Sequence, residues 1–161
     1  MQNAHRSTLV AVLYGGLVAS TLDIVAASLI NLLNPVIILH AIASGLLGKS
    51  SFAGGLPTAV LGLLLQWFMG ILIATVYVFA ALRIAWMQRD WRLAGLAYGV
   101  VIYFVMNYVV VPLSNAWPGH DYSKPIDWLK FGENMLAMIL FGLIIAFFAR
   151  RFLPPPQAGG G

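Results

Sequence analysis

The chain has 161 residues, of which 61% are hydrophobic and only 9% are charged. A soluble domain has roughly 25% charged residues, so this chain cannot shield its apolar surface from water. With a mean hydropathy of +0.89, the length predicts one small helical bundle in a membrane. The net charge of +4 comes from basic residues at the ends of apolar runs, which indicates membrane orientation and argues against nucleic-acid binding. The absence of cysteine excludes disulfides and thiolate metal sites.

The first apolar run, residues 8–33, carries a single charge, Asp23. The run is longer than the apolar region of a signal peptide, which has about 7 to 15 residues. We therefore expect an uncleaved first span. Cleavage after a small residue such as Ser20 or Ala27 is the alternative.

The second apolar run, residues 35–47, begins with two helix-start signals, Asn34 as an N-cap and Pro35 at the first helical position. A helix of this length measures about 20 Å, less than the hydrocarbon core of about 30 Å. We therefore expect a short embedded helix that is re-entrant or interfacial. Its apolar residues surround the axis, which favours contact with other helices over lying flat on lipid.

Three further apolar runs, residues 56–82, 93–113 and 128–149, complete a set of four spans. The predicted fold is an all-α membrane protein, a four-transmembrane-helix bundle with the short helix between spans one and two. Residues 1–152 form a single domain in this interpretation. Residues 153–161 form a Pro/Gly-rich C-terminal tail.

Lysine and arginine are distributed unevenly over the two sides of the predicted bundle, and this bias sets membrane orientation. Six lie on one side and three on the other, so we expect both termini in the cytoplasm. If residues 35–47 crossed fully, giving five spans, the bias would shrink to five against four. The larger group is Arg6, Arg83, Arg89, Arg92, Arg150 and Arg151, and the smaller is Lys49, Lys124 and Lys130.

The segment ASGLLGKS, Ala43 to Ser50, matches a relaxed phosphate-loop pattern. A phosphate loop requires a strand before the glycine turn and a helix after it, so that backbone N–H groups surround the phosphate. Here a predicted membrane helix precedes the segment and a glycine-rich turn follows it. We expect no nucleotide binding and interpret the glycines as a reversal of the chain.

Small residues recur at helical spacing in every predicted span, which is typical of faces where membrane helices touch. Polar side chains on these faces should point toward protein or water, because a mid-membrane charge costs about 2.5 to 3.5 kcal/mol on insertion scales. The small-residue tracks are Gly16, Ser20, Asp23 and Ala27; Gly62, Gln66, Gly70 and Ala74; Gly95 with Gly99; and Glu133 with Ala137.

The polar residues of these faces predict a candidate pocket. We expect Asp23 to meet Gln66, and a shallower group to form from Asn107, Glu133 and Asn134, with His40 capping either set. Such a pocket could bind an ion, a proton or a small solute. The alternative is that these residues only hold the helices together.

Other chemistry finds little support in the sequence. A haem held by two histidines needs both of them in the membrane, but only His40 lies in a predicted membrane segment. No His and carboxylate residues have the spacing of metal ligands on a helix, and no Ser, His and Asp set is placed for nucleophilic attack. We therefore predict no cofactor, no metal and no catalysis. Asp121, Lys124 and Asp127 indicate a solvated loop, and partner docking beside Trp117 and Tyr122 is the alternative.

Three segments, GGLVASTLDI, ILHAIASGLLG and YGVVIYFVMNYVVVPLS, resemble a set of small proteobacterial inner-membrane proteins with four predicted transmembrane helices. The resemblance covers most of the chain up to about Arg151. It implies a multi-pass protein of the bacterial inner membrane. It ties no motif to an activity.

Three functional hypotheses follow. The first is a non-catalytic accessory or scaffold subunit that meets a membrane-protein partner or a second copy. The aromatic residues of the third span would form the contact: Tyr98, Tyr103, Phe104 and Tyr108. The second is a small channel or transporter for a proton, cation or small solute that uses the pocket around Asp23. The third, an enzyme acting on lipid headgroups, lacks a partnered nucleophile.

Overall fold

The computed structural model describes residues 2–116 and 127–154, and for residues 2–6 it describes the backbone alone. The predicted loop with Asp121 and Lys124 lies outside the described residues, as does the predicted tail from residue 155 onward. Leu153, where that tail was expected to begin, is buried in the core.

All regular structure in the described residues is helical, which confirms the all-α prediction. The elements are α1 (Gln2–Asn31), α2 (Pro35–Leu47), a 3-10 helix (Gly48–Ala53), α3 (Gly55–Arg83), α4 (Ala85–Arg89), α5 (Trp91–Val105), a π-helix (Met106–Val110), α6 (Val111–Leu113) and α7 (Trp128–Phe152).

Five helical stretches among the described residues are long and apolar enough to cross a membrane. One of them, Pro35–Ala53, joins α2 to the 3-10 helix and reaches 19 residues. Apolar helices of this kind indicate a membrane protein in contact with lipid. Length and composition do not separate four spans from five, so the count of four stays a prediction.

The start of α2 has the predicted capping geometry. The Asn34 side chain accepts a hydrogen bond from the backbone N–H of Val36 at 2.9 Å, and Pro35 occupies the first turn. Asn34 therefore satisfies one of the N–H groups that a helix start leaves without an intrahelical partner. Asp127 caps α7 in the same way, accepting from the N–H groups of Leu129 and Lys130.

The four long helices pack side by side in the order α3, α1, α7, α5, and each is antiparallel to its neighbour. We call the end of the bundle where α1 ends and α7 begins the α2 end, and the opposite end the α4 end. The contacts that show the antiparallel arrangement come in two per helix pair. Between α1 and α3 they are Gly16 with Ile71 and Asp23 with Gln66, and between α1 and α7 they are Gly15 with Phe148 and Ile30 with Lys130. Between α5 and α7 they are Gly95 with Ala146 and Tyr103 with Phe131.

Glycine brings α5 and α7 into backbone contact. A Cβ at Gly99 would lie 2.6 Å from the Cα of Ile139, and a Cβ at Gly142 would lie 2.6 Å from the backbone N of Gly99. No side chain fits in these spaces, so the predicted Gly95 and Gly99 face does contact another helix. Close backbone approach of this kind is a principal source of helix association in lipid.

The buried core is concentrated toward the α4 end, where Tyr77 is fully buried. Tyr98 donates a hydrogen bond to the carbonyl of Ile73 at 2.7 Å and packs edge-on against Tyr77. Tyr98 is half-buried and Tyr103 is buried, so the prediction that both face a partner is wrong. The reason is that the glycine face of α5 turns them toward α3 and α7.

Two positions on α2 contact segments at the α2 end of the bundle. The backbone of Leu39 packs on Gly62, where a Cβ would lie 2.7 Å from the Leu39 carbonyl carbon. Near its other end, the carbonyl of Gly45 accepts from the backbone N–H of Asn115 at 2.9 Å. Gly62 lies two turns into α3 and Asn115 just follows α6, so both contacts are near one end of the spans.

The segment from Ala43 to Ser50 lies on α2 and the 3-10 helix, so no strand precedes it. Gly48 and Gly55, the first residues of the 3-10 helix and of α3, have positive φ values of 62° and 61°. They allow the chain to turn from α2 into α3. The glycines thus serve the predicted reversal, although a 3-10 helix occupies much of the expected turn. The absence of nucleotide binding stays a prediction.

Candidate functional site

A cavity of about 310 Å³ lies among the four long helices in the α2-end half of the bundle. Four carboxyl or amide side chains from four different elements line it, together with three methionines. The polar residues are Asp23 on α1, Gln66 on α3, Asn107 on the π-helix and Asn134 on α7, and the methionines are Met69, Met106 and Met138. A mostly apolar cavity with a few convergent polar groups is the usual form of a small-ligand site.

Asp23 and Gln66 meet, as the sequence predicts. The Gln66 side-chain amide donates a hydrogen bond to the carboxyl of Asp23 at 2.7 Å. Beside this pair, the Trp67 ring N–H donates a hydrogen bond to the hydroxyl of Thr21 at 3.2 Å. These two contacts fix the register of α1 against α3 at the level of the cavity.

Asn107 and Asn134 each donate a side-chain hydrogen bond to the carbonyl four residues earlier in the chain. Asn107 donates to Tyr103 and Asn134 to Lys130, both at 2.8 Å. These bonds hold both amides against their own helices beside the cavity. The predicted deeper and shallower polar groups therefore form one cavity, which Asp23, Gln66, Asn107 and Asn134 share.

Two residues of the predicted pocket are not among those that line this cavity. His40 forms a hydrogen bond with the carbonyl of Gly55 at 2.9 Å and packs edge-on against Phe52, so its ring joins α2 to the start of α3. Glu133 is half-buried on α7, and it precedes Asn134 on the helix. Adjacent helical residues point about 100° apart, and of these two it is Asn134 that lines the cavity.

The π-helix is a feature that the sequence analysis missed. Between Met106 and Val110 the helix widens, and the N–H of Val111 bonds to the carbonyl of Met106. Pro112 explains the widening, because its ring would clash with the Tyr108 carbonyl and it has no N–H to donate. Proline inside an apolar run was the signal. Single π-turns in helices are frequent at functional sites, and this one carries Asn107.

A second hollow of about 360 Å³ lies between α1 and α7. We call it the α1–α7 groove. Asp23 is its charged residue, and the others are apolar: Ala19, Leu22, Val25, Ala26, Leu29, Ala137, Leu140, Phe141 and Ile144. Asp23, Ala137 and Phe141 line both this groove and the cavity, so they form the boundary between the two.

The donor chemistry of the cavity suits a cation or a polar solute. One carboxyl and three amides offer oxygen acceptors and N–H donors. Among the described residues, no group of three or more His, Cys, Asp or Glu side chains is placed to hold a metal ion. No protein-family model, curated protein or solved structure matches the chain.

Proposed function

We propose that the chain crosses the membrane four times and that α2 with the 3-10 helix does not cross. The placement of α2 supports this topology, because Leu39 and Gly45 both contact segments at the α2 end. A full crossing would instead carry the chain from one end of the bundle to the other. The resemblance of the sequence supports the bacterial inner membrane as the location.

We also propose that the α4 end faces the cytoplasm, with both termini on that side. Arg83, Arg89, Arg150 and Arg151 belong to the helix ends there. Arg150 donates to the carbonyls of Gln88 and Arg89 at 3.3 and 3.4 Å, which ties the end of α7 to α4. Basic residues near span ends favour the cytoplasmic side.

The topology can be tested with single cysteines, since the chain has none of its own. Leu32→Cys precedes α2 and Ser50→Cys follows it, and both side chains are exposed. In four spans, a membrane-impermeant maleimide should label both variants in intact spheroplasts. If α2 crosses, only one of the two is labelled before lysis, and the four-span proposal is wrong.

We propose that the protein is non-catalytic and binds a small cation or polar solute in its cavity, as a small channel or transporter would. The observation that carries this function is the cavity of about 310 Å³ beside the Asp23 and Gln66 pair. A polar contact that only joins two helices needs no space next to it. Close packing of α5 against α7 toward the α4 end means that transport would require helices to move.

The binding function can be tested in proteoliposomes by solid-supported membrane electrophysiology, which detects displaced charge, with protons, monovalent cations and charged polar solutes as candidates. We expect a saturable current for at least one of them, and a loss of at least tenfold in Asp23→Asn. Asp90→Asn is the matched control, because Asp90 is exposed and lies outside the cavity. A wild-type protein that gives no binding or transport current with any candidate contradicts the proposal.

An accessory or scaffold subunit is the second candidate, and one observation favours it. Phe104 and Tyr108 are 44% and 53% exposed and stack with ring centroids 5.9 Å apart. They form an aromatic surface on the outside of the bundle, and aromatic residues are enriched in protein interfaces. We expect a partner that co-purifies in mild detergent and is lost in Phe104→Ala with Tyr108→Ala. Elution of the wild-type chain alone contradicts this role.

A further inference from the structure

Asp23 lies on the boundary between the interior cavity and the outer surface of the bundle. It lines the cavity with Gln66 and also lines the α1–α7 groove. On α7, Ala137 and Phe141 occupy the same boundary. The carboxyl that defines the candidate site is therefore adjacent to a surface that faces lipid.

The α1–α7 groove is apolar apart from Asp23. Leu22, Leu29 and Leu140 are 49%, 69% and 51% exposed, so its rim faces outward. The groove exists because α1 and α7 are close near Gly15 and because small side chains, Ala26 and Ala137 among them, line the space farther along. Such a surface suits an alkyl chain and not a hydrated solute.

We infer that the ligand of the cavity is an amphiphile that carries a protonated amine, and that it reaches Asp23 from the bilayer through the α1–α7 groove. The inference rests on the proposed binding of a cation in the cavity and replaces the small water-soluble cation by an amphiphilic one. The amine pairs with the Asp23 carboxylate and can donate its remaining protons to amide oxygens of Asn107 or Asn134. The alkyl chain stays in the groove against Leu22 and Ile144.

Charge and depth favour this ligand class. Asp23 lies eight residues before the end of α1, about 12 Å along the helix axis. The hydrogen bond from Gln66 does not neutralise the charge of the Asp23 carboxylate. An opposite charge therefore stabilises the carboxylate at this depth. A cation that is attached to an apolar chain can be delivered at this depth because the chain itself partitions into lipid.

The test is ligand binding to the full-length protein in lipid nanodiscs, counted by native mass spectrometry against empty nanodiscs. The probes are dodecylamine, methylamine and dodecanol, which separate the amine from the chain. We expect dodecylamine to bind at least tenfold more tightly than either other probe. Asp23→Asn should weaken dodecylamine binding at least tenfold, and Asp90→Asn should leave it unchanged.

The route is tested by filling the groove at positions that do not line the cavity. Ala26→Leu should weaken dodecylamine binding by tenfold or more while methylamine binding changes less than twofold, because Ala26 lines the groove and not the cavity. Ala97→Leu, at an exposed position on α5, is the matched control. If Ala26→Leu does not fold, as judged by size-exclusion chromatography, Val25→Phe fills the same groove at a residue that is 48% exposed and carries the same expectation.

The outcomes distinguish this inference from the proposed function. If methylamine binds as tightly as dodecylamine and both depend on Asp23, the groove is not the route, and the inference fails while the binding function stands. If dodecanol binds as tightly as dodecylamine, the amine has no role and the inference fails. If no probe binds and no solute gives a current in proteoliposomes, both fail.

Discussion

The two halves of the bundle use the same helices in different ways. Toward the α4 end, α1 lies against α3 so closely that a Cβ at Gly16 would be 2.7 Å from the Cα of Ile71, and Tyr77 is fully buried nearby. Toward the α2 end, the same helices leave a cavity of about 310 Å³ between them. Asp23, Gln66, Asn107 and Asn134 all lie in this second half.

The difference shows what holds a membrane bundle together. Lipid tails are as apolar as leucine, so burial of apolar side chains gives little drive for helices to associate. Close backbone contacts join α5 to α7 toward the α4 end, and the hydrogen bond between Asp23 and Gln66 joins α1 to α3 beside the cavity. The closely packed half can therefore fix the positions of helices that remain apart around the cavity.

The largest effect on stability is expected from Gly99→Leu. Its side chain would meet the backbone of α7 at Ile139, 2.6 Å from the added Cβ. Overpacking of this kind costs about 1 to 3 kcal/mol or more, so the thermal transition in detergent should fall sharply or the folded protein should be lost. Gly132→Leu is the matched control, because nothing lies within 4 Å of its Cβ. Equal stability of the two variants would mean that α5 and α7 are not in backbone contact.

An intermediate effect on stability is expected from the Asp23 and Gln66 pair in the α2-end half. In a double-mutant cycle with Asp23→Leu and Gln66→Leu, the coupling energy should be about 1 kcal/mol, within the range measured for polar contacts between membrane helices. Unfolding in mixed micelles with increasing denaturing detergent measures it. Additive effects of the two substitutions would show that the 2.7 Å hydrogen bond does not stabilise the bundle.

A smaller effect on stability is expected from a hydrogen bond that joins α5 to α3 in the α4-end half. Tyr98→Phe removes the bond to the Ile73 carbonyl but keeps the ring against Tyr77. The free energy of unfolding should fall by about 0.5 kcal/mol. Tyr14→Phe is the control, because the Tyr14 ring on α1 is 57% exposed. A larger loss at Tyr14 would reverse the assignment of buried and exposed rings.

The smallest effect on stability is expected at Pro112, where the consequence is geometric. Pro112→Ala restores an N–H donor, so the π-helix should convert to α-helix and rotate Asn107 away from the cavity. In the cysteine-free chain, Asn107→Cys should then react several-fold more slowly with a small cationic thiol reagent when Pro112→Ala is also present. An unchanged rate would show that the wide turn does not depend on proline.

The sequence was sufficient for the existence of the long apolar helices, for the start of α2 and for the pair at the centre of the site. The start of α2 at Pro35 follows from local capping chemistry, which is readable from adjacent residues. Asp23 and Gln66 could be paired because a lone carboxyl in an apolar span needs a partner and a glutamine occurs at matching depth. Both are predictions from local pattern or from depth alone.

The rest depended on the rotation of each helix about its axis. Glu133 and Asn134 are adjacent, and only the packing of α7 on α5 decides that Asn134 lines the cavity. Tyr103 is buried for the same reason. His40 could not be placed because the sequence does not specify which side of α2 faces α3. The groove, in turn, depends on how α1 and α7 separate, which no local pattern encodes.

The bond between Asp23 and Gln66 has a consequence for biogenesis. Its two partners are 43 positions apart in the chain, so Asp23 is synthesised before its glutamine. Until α3 is in place, the Asp23 carboxyl lacks this partner, and a lone carboxyl in an apolar helix is costly to insert into lipid. We therefore expect α1 and α3 to insert as a pair.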